Sequence, residues 1–404
     1  MNIQTLKGFR DFLPGEARKR QYVISALKQV FESFGFEPLE TPVLEYEEIL
    51  MGKYGEEGDK LMYRFEDNGG RRVAMRYDQT VPLSRVVAEY LNELPMPFKR
   101  YQIQNVWRAE NTQKGRYREF MQCDIDTVGT TSPLADAEVI ATAVKALEKL
   151  GFTNYKVLVN DRTIFEGLPQ GAITAIDKLK KIGEEGVYKE LVDRKVTKSP
   201  EEAKNLLQSI TEKTPTENLG QILGQLELLG IKNVEYSPTL ARGLDYYTEL
   251  IFEIEIPEYP VGSVCGGGRY DNLIGMFAGK QIPAVGFAFG FDRTIEAMEA
   301  LNLFPEKVSN ASAQVLVTIF NPELKQKSLE VSSRLRSNNI NTELYLEEAK
   351  IEKQLKYADA KKIPYVIIVG PDEVEKDVVT VKNLKTREQT QVPLDELPKF
   401  FQTK

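Results

Sequence analysis

Apolar residues recur at helical spacing between positions 17 and 34. Tyr22, Val23, Ala26, Leu27, Val30, Phe31 and Phe34 fall on one stripe, and Gly35 stands where such a helix would stop. A second helix is expected to open at Ser132-Pro133, with Asp136 and Glu138 near its positive end, and to close near Leu150 before Gly151. Between them the period drops to two. Over 120–126, Met121, Cys123 and Ile125 face one way, while Phe120, Gln122, Asp124 and Asp126 face the other. Such a strand would lay a floor of polar acceptors beneath a small polar ligand; the plainer alternative is an edge strand with one wet face.

Residues 161–236 are rich in Lys and Glu, carry few β signals and suggest an inserted helical module. Alternation resumes where Phe252, Ile254 and Ile256 interleave with Glu253 and Glu255. After Leu303-Phe304-Pro305 a polar linker runs to Ser312, and the texture changes. Strands are expected over 315–320, 343–346, 363–370 and 378–384, with helices over 323–338 and 348–362. That alternation predicts a small, mostly parallel sheet with flanking helices. The chain thus divides into an α+β region (1–160 and 237–303) holding an antiparallel sheet with flanking helices, a helical insertion (161–236), a linker (304–312) and an α/β domain (313–404).

A length of 404 residues fits two or three domains. The net charge of −7 leaves no global basic field, so a polyanionic partner must bind at a local patch. Cys123 and Cys265 match no metal spacing and point to a reducing compartment. The start of the chain lacks the apolar core of a signal peptide, and no apolar run reaches membrane-spanning length; a soluble, cytoplasmic protein without a membrane partner is expected. The chain contains no histidine, which excludes Ser-His-Asp and Cys-His hydrolysis and His-ligated metal sites. Chemistry here must work through charge and position, or through carboxylates, Lys, Tyr or Cys.

The densest chemistry lies in Trp107-Arg108-Ala109-Glu110, which runs through a basic loop to Arg116 and Phe120. Guanidinium forks hold phosphate oxygens bidentately, an aromatic face takes a flat base, and a carboxylate accepts from an exocyclic amine. A charged hairpin with solvated ends would show the same composition. Two further segments set Arg, Tyr and Asp beside glycine: Arg242-Gly243-Leu244-Asp245-Tyr246-Tyr247 and Gly266-Gly267-Gly268-Arg269-Tyr270-Asp271. In Gly286-Phe287-Ala288-Phe289-Gly290-Phe291-Asp292-Arg293, glycines four apart would let a planar group lie against the sheet, with Arg293 at a strand-to-helix junction.

Together these segments resemble class II aminoacyl-tRNA synthetases and, within them, histidyl-tRNA synthetases. The three class motifs fall in order: Pro42 in Glu40-Thr41-Pro42-Val43-Leu44-Glu45, then Arg108 to Phe120, then Gly286 to Arg293. The Arg242 and Gly266 segments resemble the stretches particular to the histidine enzymes. Lys7-Gly8-Phe9-Arg10-Asp11-Phe12-Leu13-Pro14 is similar to the family's opening, and the C-terminal region to its anticodon-binding domain.

The resemblance implies a histidine–tRNA ligase that forms histidyl-adenylate and pyrophosphate from L-histidine and ATP, then charges tRNA(His). Arg108, Arg116 and Arg293 would hold ATP, Glu110 would read the adenine amine, and Phe120 would stack on the ring. Arg242 would sit on the α-phosphate and the amino-acid carboxylate, beside Arg108. Asp78 and Thr80, helped by Gln122, would bind the α-amino group. Asp126, Tyr247 and Tyr270 would read the imidazole, with Tyr246 in the same site. Mg²⁺ is expected with ATP rather than from a side-chain motif, and a homodimer with the Pro42 segment at its interface. The chain departs from the family at Asp292 and Asp126, where Glu is frequent, and at Ala109 and Met121, where some members carry histidine. A catalytically silent relative, a regulatory subunit of ATP phosphoribosyltransferase, is the alternative within the same resemblance.

Overall fold

The computed structural model describes residues 3–112, 115–242 and 246–402, with the side chains of 55–57 outside that description. Gln113 and Lys114 of the basic loop, and Gly243, Leu244 and Asp245 of the second arginine segment, lie outside the described residues. The chain forms two compact units: Met1–Asp11 with Val23–Leu303, and Phe12–Tyr22 with Phe304–Lys404.

In chain order the first unit holds β1 (Glu37–Pro38), β2 (Leu44–Tyr46), β3 (Arg64–Glu66), β4 (Arg72–Met75), β5 (Phe98–Trp107) and β6 (Glu119–Val128). It continues with β7 (Lys156–Asp161), β8 (Val234–Tyr236), β9 (Leu250–Glu255), β10 (Cys265–Arg269) and β11 (Ala284–Gly290). Eight of these make one sheet in the order β1-β5-β6-β11-β10-β9-β7-β8; β2, β4 and β3 make a small second sheet. Pairing is antiparallel through the middle of the large sheet and parallel only at its two edges.

Helices cover this sheet as the apolar stripes require. Phe31, from the helix Pro14–Ser33, sets its ring 5.8 Å from that of Tyr101 and 6.3 Å from that of Phe287. The helix Pro133–Lys149 begins where Ser132 Oγ accepts the Leu134 N–H at 3.3 Å, and packs on β6 and β11. Four helices follow between Gln170 and Leu228. The first three enclose a core that includes Ile173, Ile176, Leu191 and Leu207, whereas the fourth, Glu217–Leu228, lies on Pro133–Lys149. The end of the helical stretch therefore differs from expectation. Val234–Tyr236 is a strand, because Glu217–Leu228 works as a crossover that returns the chain parallel to β7.

The second unit holds β12 (Val315–Val317), β13 (Thr342–Leu344), β14 (Tyr365–Ile368), β15 (Val378–Asn383) and β16 (Gln389–Pro393), in the order β13-β12-β14-β15-β16. It is an α/β sheet, but only two of its four pairings are parallel. The long helices Lys325–Ser337 and Ile351–Lys361 make the parallel crossovers. The single turn Pro371–Glu375 and the tight link to β16 are too short for one, so those neighbours run antiparallel.

Candidate active site

A cavity of about 390 Å³ opens over the polar face of β6, where Phe120, Gln122, Asp124 and Asp126 all line it. The expected alternation holds along the strand, with Cys123 and Ile125 buried behind; Met121, nearest the loop, turns into the cavity as well. Register then places the partners. Asp126 lies opposite Arg100 of β5 on one side and Gly286 of β11 on the other.

Asp126 and Arg100 form a buried ion pair, Oδ2 to Nη2 at 2.6 Å, a close approach of charges rather than an aligned hydrogen bond. The Tyr270 hydroxyl donates to the other carboxylate oxygen. Burial pushes the Asp126 carboxyl up to about 6, opposed by the Arg100 charge and the Tyr270 bond. Burial also drives Asp124 well above the usual carboxylate range and raises Asp78. Asp78 Oδ1 accepts three bonds: the Thr80 and Val81 N–H groups, each at 3.1 Å, and the Tyr54 hydroxyl at 2.8 Å. Tyr54 packs in turn against Tyr77, ring centres 4.7 Å apart and planes tilted by 43°. Tyr246 lies 4.8 Å from Tyr247 and 5.8 Å from Tyr270, completing an aromatic wall. Three buried carboxyls inside tyrosine walls make this end of the cavity fit for a ligand that brings positive charge or N–H donors.

The other end is cationic. The Arg108 guanidinium lies 4.4 Å from the Tyr77 ring centre and 5.1 Å from that of Phe120, with Nε donating to the Tyr77 carbonyl at 3.1 Å. Arg242 Nη1 reaches Glu253 Oε1 at 3.1 Å, while its buried Nε has no hydrogen-bond partner among the described residues. Arg293, in the first turn of the helix Phe291–Ala300, donates Nη1 to the Ser263 carbonyl at 2.6 Å. A second cavity of about 410 Å³ adjoins the first, sharing Arg108, Phe120, Arg242 and Arg293, and adds Glu110 and Arg116, which pair at 3.2 Å. The combined site is acidic at one end and carries four arginines at the other. Such a lining suits an amine-bearing molecule at one end and a polyphosphate at the other.

The fold therefore brings Asp78, Thr80, Gln122, Asp126, Tyr246, Tyr247 and Tyr270 into the inner cavity, and Glu110 and Arg116 into the outer one. Arg108, Phe120, Arg242 and Arg293 line both. Arg100 and Tyr54 went unmarked in the sequence. For Arg100 a signal existed: Arg100, Gln102 and Gln104 place polar groups at every second position of a strand whose Arg100 and Gln102 are fully buried. For Tyr54, which meets Asp78 from 24 residues away with the β3–β4 pair between them, there was none.

Gly266, Gly286 and Gly290 line the inner cavity, and two of them also make room for side chains of the site. A Cβ on Gly266 would lie 1.7 Å from Arg242 Nη1, and one on Gly286 would lie 2.0 Å from Asp126 Oδ1. These positions clear space for the site's own side chains before any ligand arrives.

Comparison with known proteins identifies the family. A sequence model of the family described as Histidyl-tRNA synthetase matches residues 8–212 and 163–294, and one described as Anticodon binding domain matches residues 314–404. The Histidine–tRNA ligase of Cytophaga hutchinsonii is 40% identical over 442 residues, spanning 97% of each chain. That of Aeropyrum pernix is 41% identical over 420 residues, spanning 97% of this chain and 96% of the relative. The crystal structure of histidyl-tRNA synthetase from Nostoc sp. PCC 7120 superimposes with a TM-score of 0.86 at 29% identity, covering 100% of this chain and 99% of that one.

Proposed function

The chain belongs to the histidyl-tRNA synthetase family, ATP-dependent ligases that join histidine to tRNA, and from that premise we propose how its residues divide the work. Histidine lies in the inner cavity with its α-ammonium toward Asp78 and Thr80, assisted by Gln122. Its imidazole lies against Asp126, Tyr246, Tyr247 and Tyr270, and its carboxylate turns toward Arg108 and Arg242. ATP fills the outer cavity. Its base stacks on Phe120 with its amine on Glu110, and its phosphates take Arg108, Arg116 and Arg293. The observation that carries this reading is the polarity of the two adjoining cavities, three buried carboxyl groups at one end and four arginines at the other.

The chemistry suits a chain without histidine. The substrate carboxylate is already ionised near neutral pH. It attacks the α-phosphorus, a new C–O–P link forms, and the bond to pyrophosphate breaks with no proton to move. Catalysis then rests on alignment and on arginines placed where negative charge gathers. Among the described residues no three potential metal-ligating side chains cluster. We take Mg²⁺ to arrive with the nucleotide phosphates, as part of the substrate. The acyl group then passes to a ribose hydroxyl of the terminal adenosine of tRNA(His), the mixed anhydride breaking so that AMP leaves and the hydroxyl proton is released; the domain at 314–404 would bind the anticodon.

We also propose a homodimer. Leu44, Tyr46 and Phe65 share a face of the small sheet next to Pro42 and are 41%, 54% and 43% exposed, an apolar surface fit for a second copy. The cytosol suits both a translation enzyme and the buried, unpaired Cys123 and Cys265; among the described residues no helix is long and apolar enough to cross a membrane.

The test is ATP–pyrophosphate exchange with each of the twenty amino acids, on wild type and Arg242→Ala. Exchange with histidine alone, lost in the variant, is the expected result. A folded protein that binds histidine yet exchanges with none would move the reading to a regulatory relative.

A further inference from the structure

The opening segment around Lys7 to Asp11 has no role in the scheme above, yet it packs against the loop and the helix start that line the outer cavity. Gly8 adopts φ of +89°, and a Cβ there would lie 2.7 Å from Arg118 Cγ and 2.8 Å from Thr112 Cγ2. Its carbonyl accepts the Arg118 and Glu119 N–H groups at 2.9 and 3.3 Å. Arg118 in turn donates Nε to the Glu110 carbonyl at 3.1 Å. Phe9 sets its ring edge-on to Tyr63 at 6.3 Å, which fixes the segment on that side.

Arg10 then makes the decisive contacts. Its guanidinium lies 3.3 Å from the centre of the Tyr117 ring, and Nη2 lies 3.0 Å from Asp292 Oδ1. Tyr117 sits between Arg116 and Arg118 on the loop that presents Glu110 and Arg116; Asp292 immediately precedes Arg293. One side chain therefore joins two separate parts of the ATP cavity, the loop that would hold the base and the helix start that would hold a phosphate. Its partially buried position (26% side-chain exposure, against 11% for Asp292) lets both the stacking and the ion pair act with limited screening by water.

We propose that Arg10 is a positioning residue for the nucleotide: it clamps the Tyr117 loop to Asp292, and so sets the distance between Glu110 with Arg116 and Arg293 before ATP binds. The inference rests on the assignment of the outer cavity to ATP. It also gives the carboxylate at position 292 a partner within the chain, the Arg10 guanidinium. A merely structural strap would alter stability and leave the two substrates equally affected.

The test measures KM for ATP and for histidine in pyrophosphate exchange, together with the thermal midpoint, for wild type, Arg10→Ala, Arg10→Lys and Tyr117→Leu. Expected is a roughly tenfold rise in KM for ATP in Arg10→Ala, with KM for histidine within about twofold. Arg10→Lys, which keeps the charge toward Asp292, should recover part of that loss, and Tyr117→Leu should show a smaller rise of the same kind. If the two KM values rise together, or neither moves in folded variants, the positioning role is wrong. Should Arg10→Ala fail to fold, Arg10→Lys and Tyr117→Leu decide by the same split. Absence of histidine-dependent exchange in wild type would instead overturn the site assignment itself.

Discussion

Replacing Arg100 by methionine removes the only cation paired with Asp126 among the described residues, at a place where both side chains are within 5% of full burial. Methionine fills similar volume without charge, so packing is largely kept. A buried ion pair that loses one partner is commonly destabilised by about 3–5 kcal/mol, because the remaining charge is stranded. Asp126 has an escape: its carboxyl already titrates at about 6, and without the guanidinium it rises further and takes up a proton at neutral pH. The fold then survives while the site changes, since a protonated acid no longer offers an anionic acceptor to the imidazole N–H. A charge-assisted hydrogen bond contributes about 1.5–3 kcal/mol, so histidine affinity should fall roughly 10- to 150-fold. Pyrophosphate exchange over pH 6 to 9 would show a raised KM for histidine that recovers toward high pH, with KM for ATP nearly constant. Arg100→Lys should recover part of the loss. A folded Arg100→Met enzyme with unchanged histidine KM and pH profile would mean that Asp126 does not depend on the pair.

The remaining expectations concern pH, space and charge. Asp126, Asp136 and Asp177 are all raised by burial to about 6, so the folded chain takes up these protons before the unfolded chain does, and stability should rise as pH falls from about 7 toward 5. With no histidine to titrate in that window, a lower thermal midpoint at pH 5.5 than at pH 7.5 would contradict this. Gly286→Ala must push a methyl group into Asp126, and should cost about 1–3 kcal/mol in chemical denaturation while raising histidine KM. Arg116→Ala removes a side chain that is 61% exposed; KM for ATP should rise several-fold with the thermal midpoint within about one degree, since exposed pairs stabilise little. Finally, a chain free of histidine needs no charged histidine for its own translation. Its synthesis should outlast that of histidine-containing proteins during histidine starvation, and pulse labelling that shows a parallel fall would refute this.

What could be read in the sequence was local. The helix Pro133–Lys149 announced itself through Ser132, Pro133 and Gly151, and the face of β6 through an alternation that holds from Gln122 to Asp126 and breaks at Met121. What escaped depends on pairing between distant segments. The ion pair of Arg100 and Asp126 exists only because β5 and β6 settle in one register, and a slip of one residue would have turned Arg100 to the other side. β16 gave no signal since Val392 is its one buried residue. Val234–Tyr236 was masked by the helical texture before it. Even the polar row Arg100, Gln102 and Gln104 admits two readings from sequence alone, a wet edge or a buried network. The structure chooses the second: Gln102 Nε2 bonds Thr41 Oγ1 at 2.8 Å, and Arg76 Nη1 bonds Gln104 Oε1 at 2.8 Å.

The glycines carry the same lesson to the chemistry. Read as sequence, Gly286 and Gly290 suggest room for a planar group against the sheet, and Gly266-Gly267-Gly268 is a glycine run beside Arg269, Tyr270 and Asp271. In the sheet, Gly267 faces the Gly286 carbonyl, which a Cβ would approach to 2.1 Å, and Gly268 faces the Leu250 carbonyl at 2.3 Å. Gly266 and Gly286 make room for Arg242 and Asp126 themselves, the residues proposed to hold opposite ends of histidine. The middle strands give up their side chains so that an arginine and a carboxylate from neighbouring segments can lie flat across them. A site assembled this way has little freedom to readjust. Loss of one glycine displaces a charged group directly, and its first effect should be on substrate recognition rather than on the surrounding core.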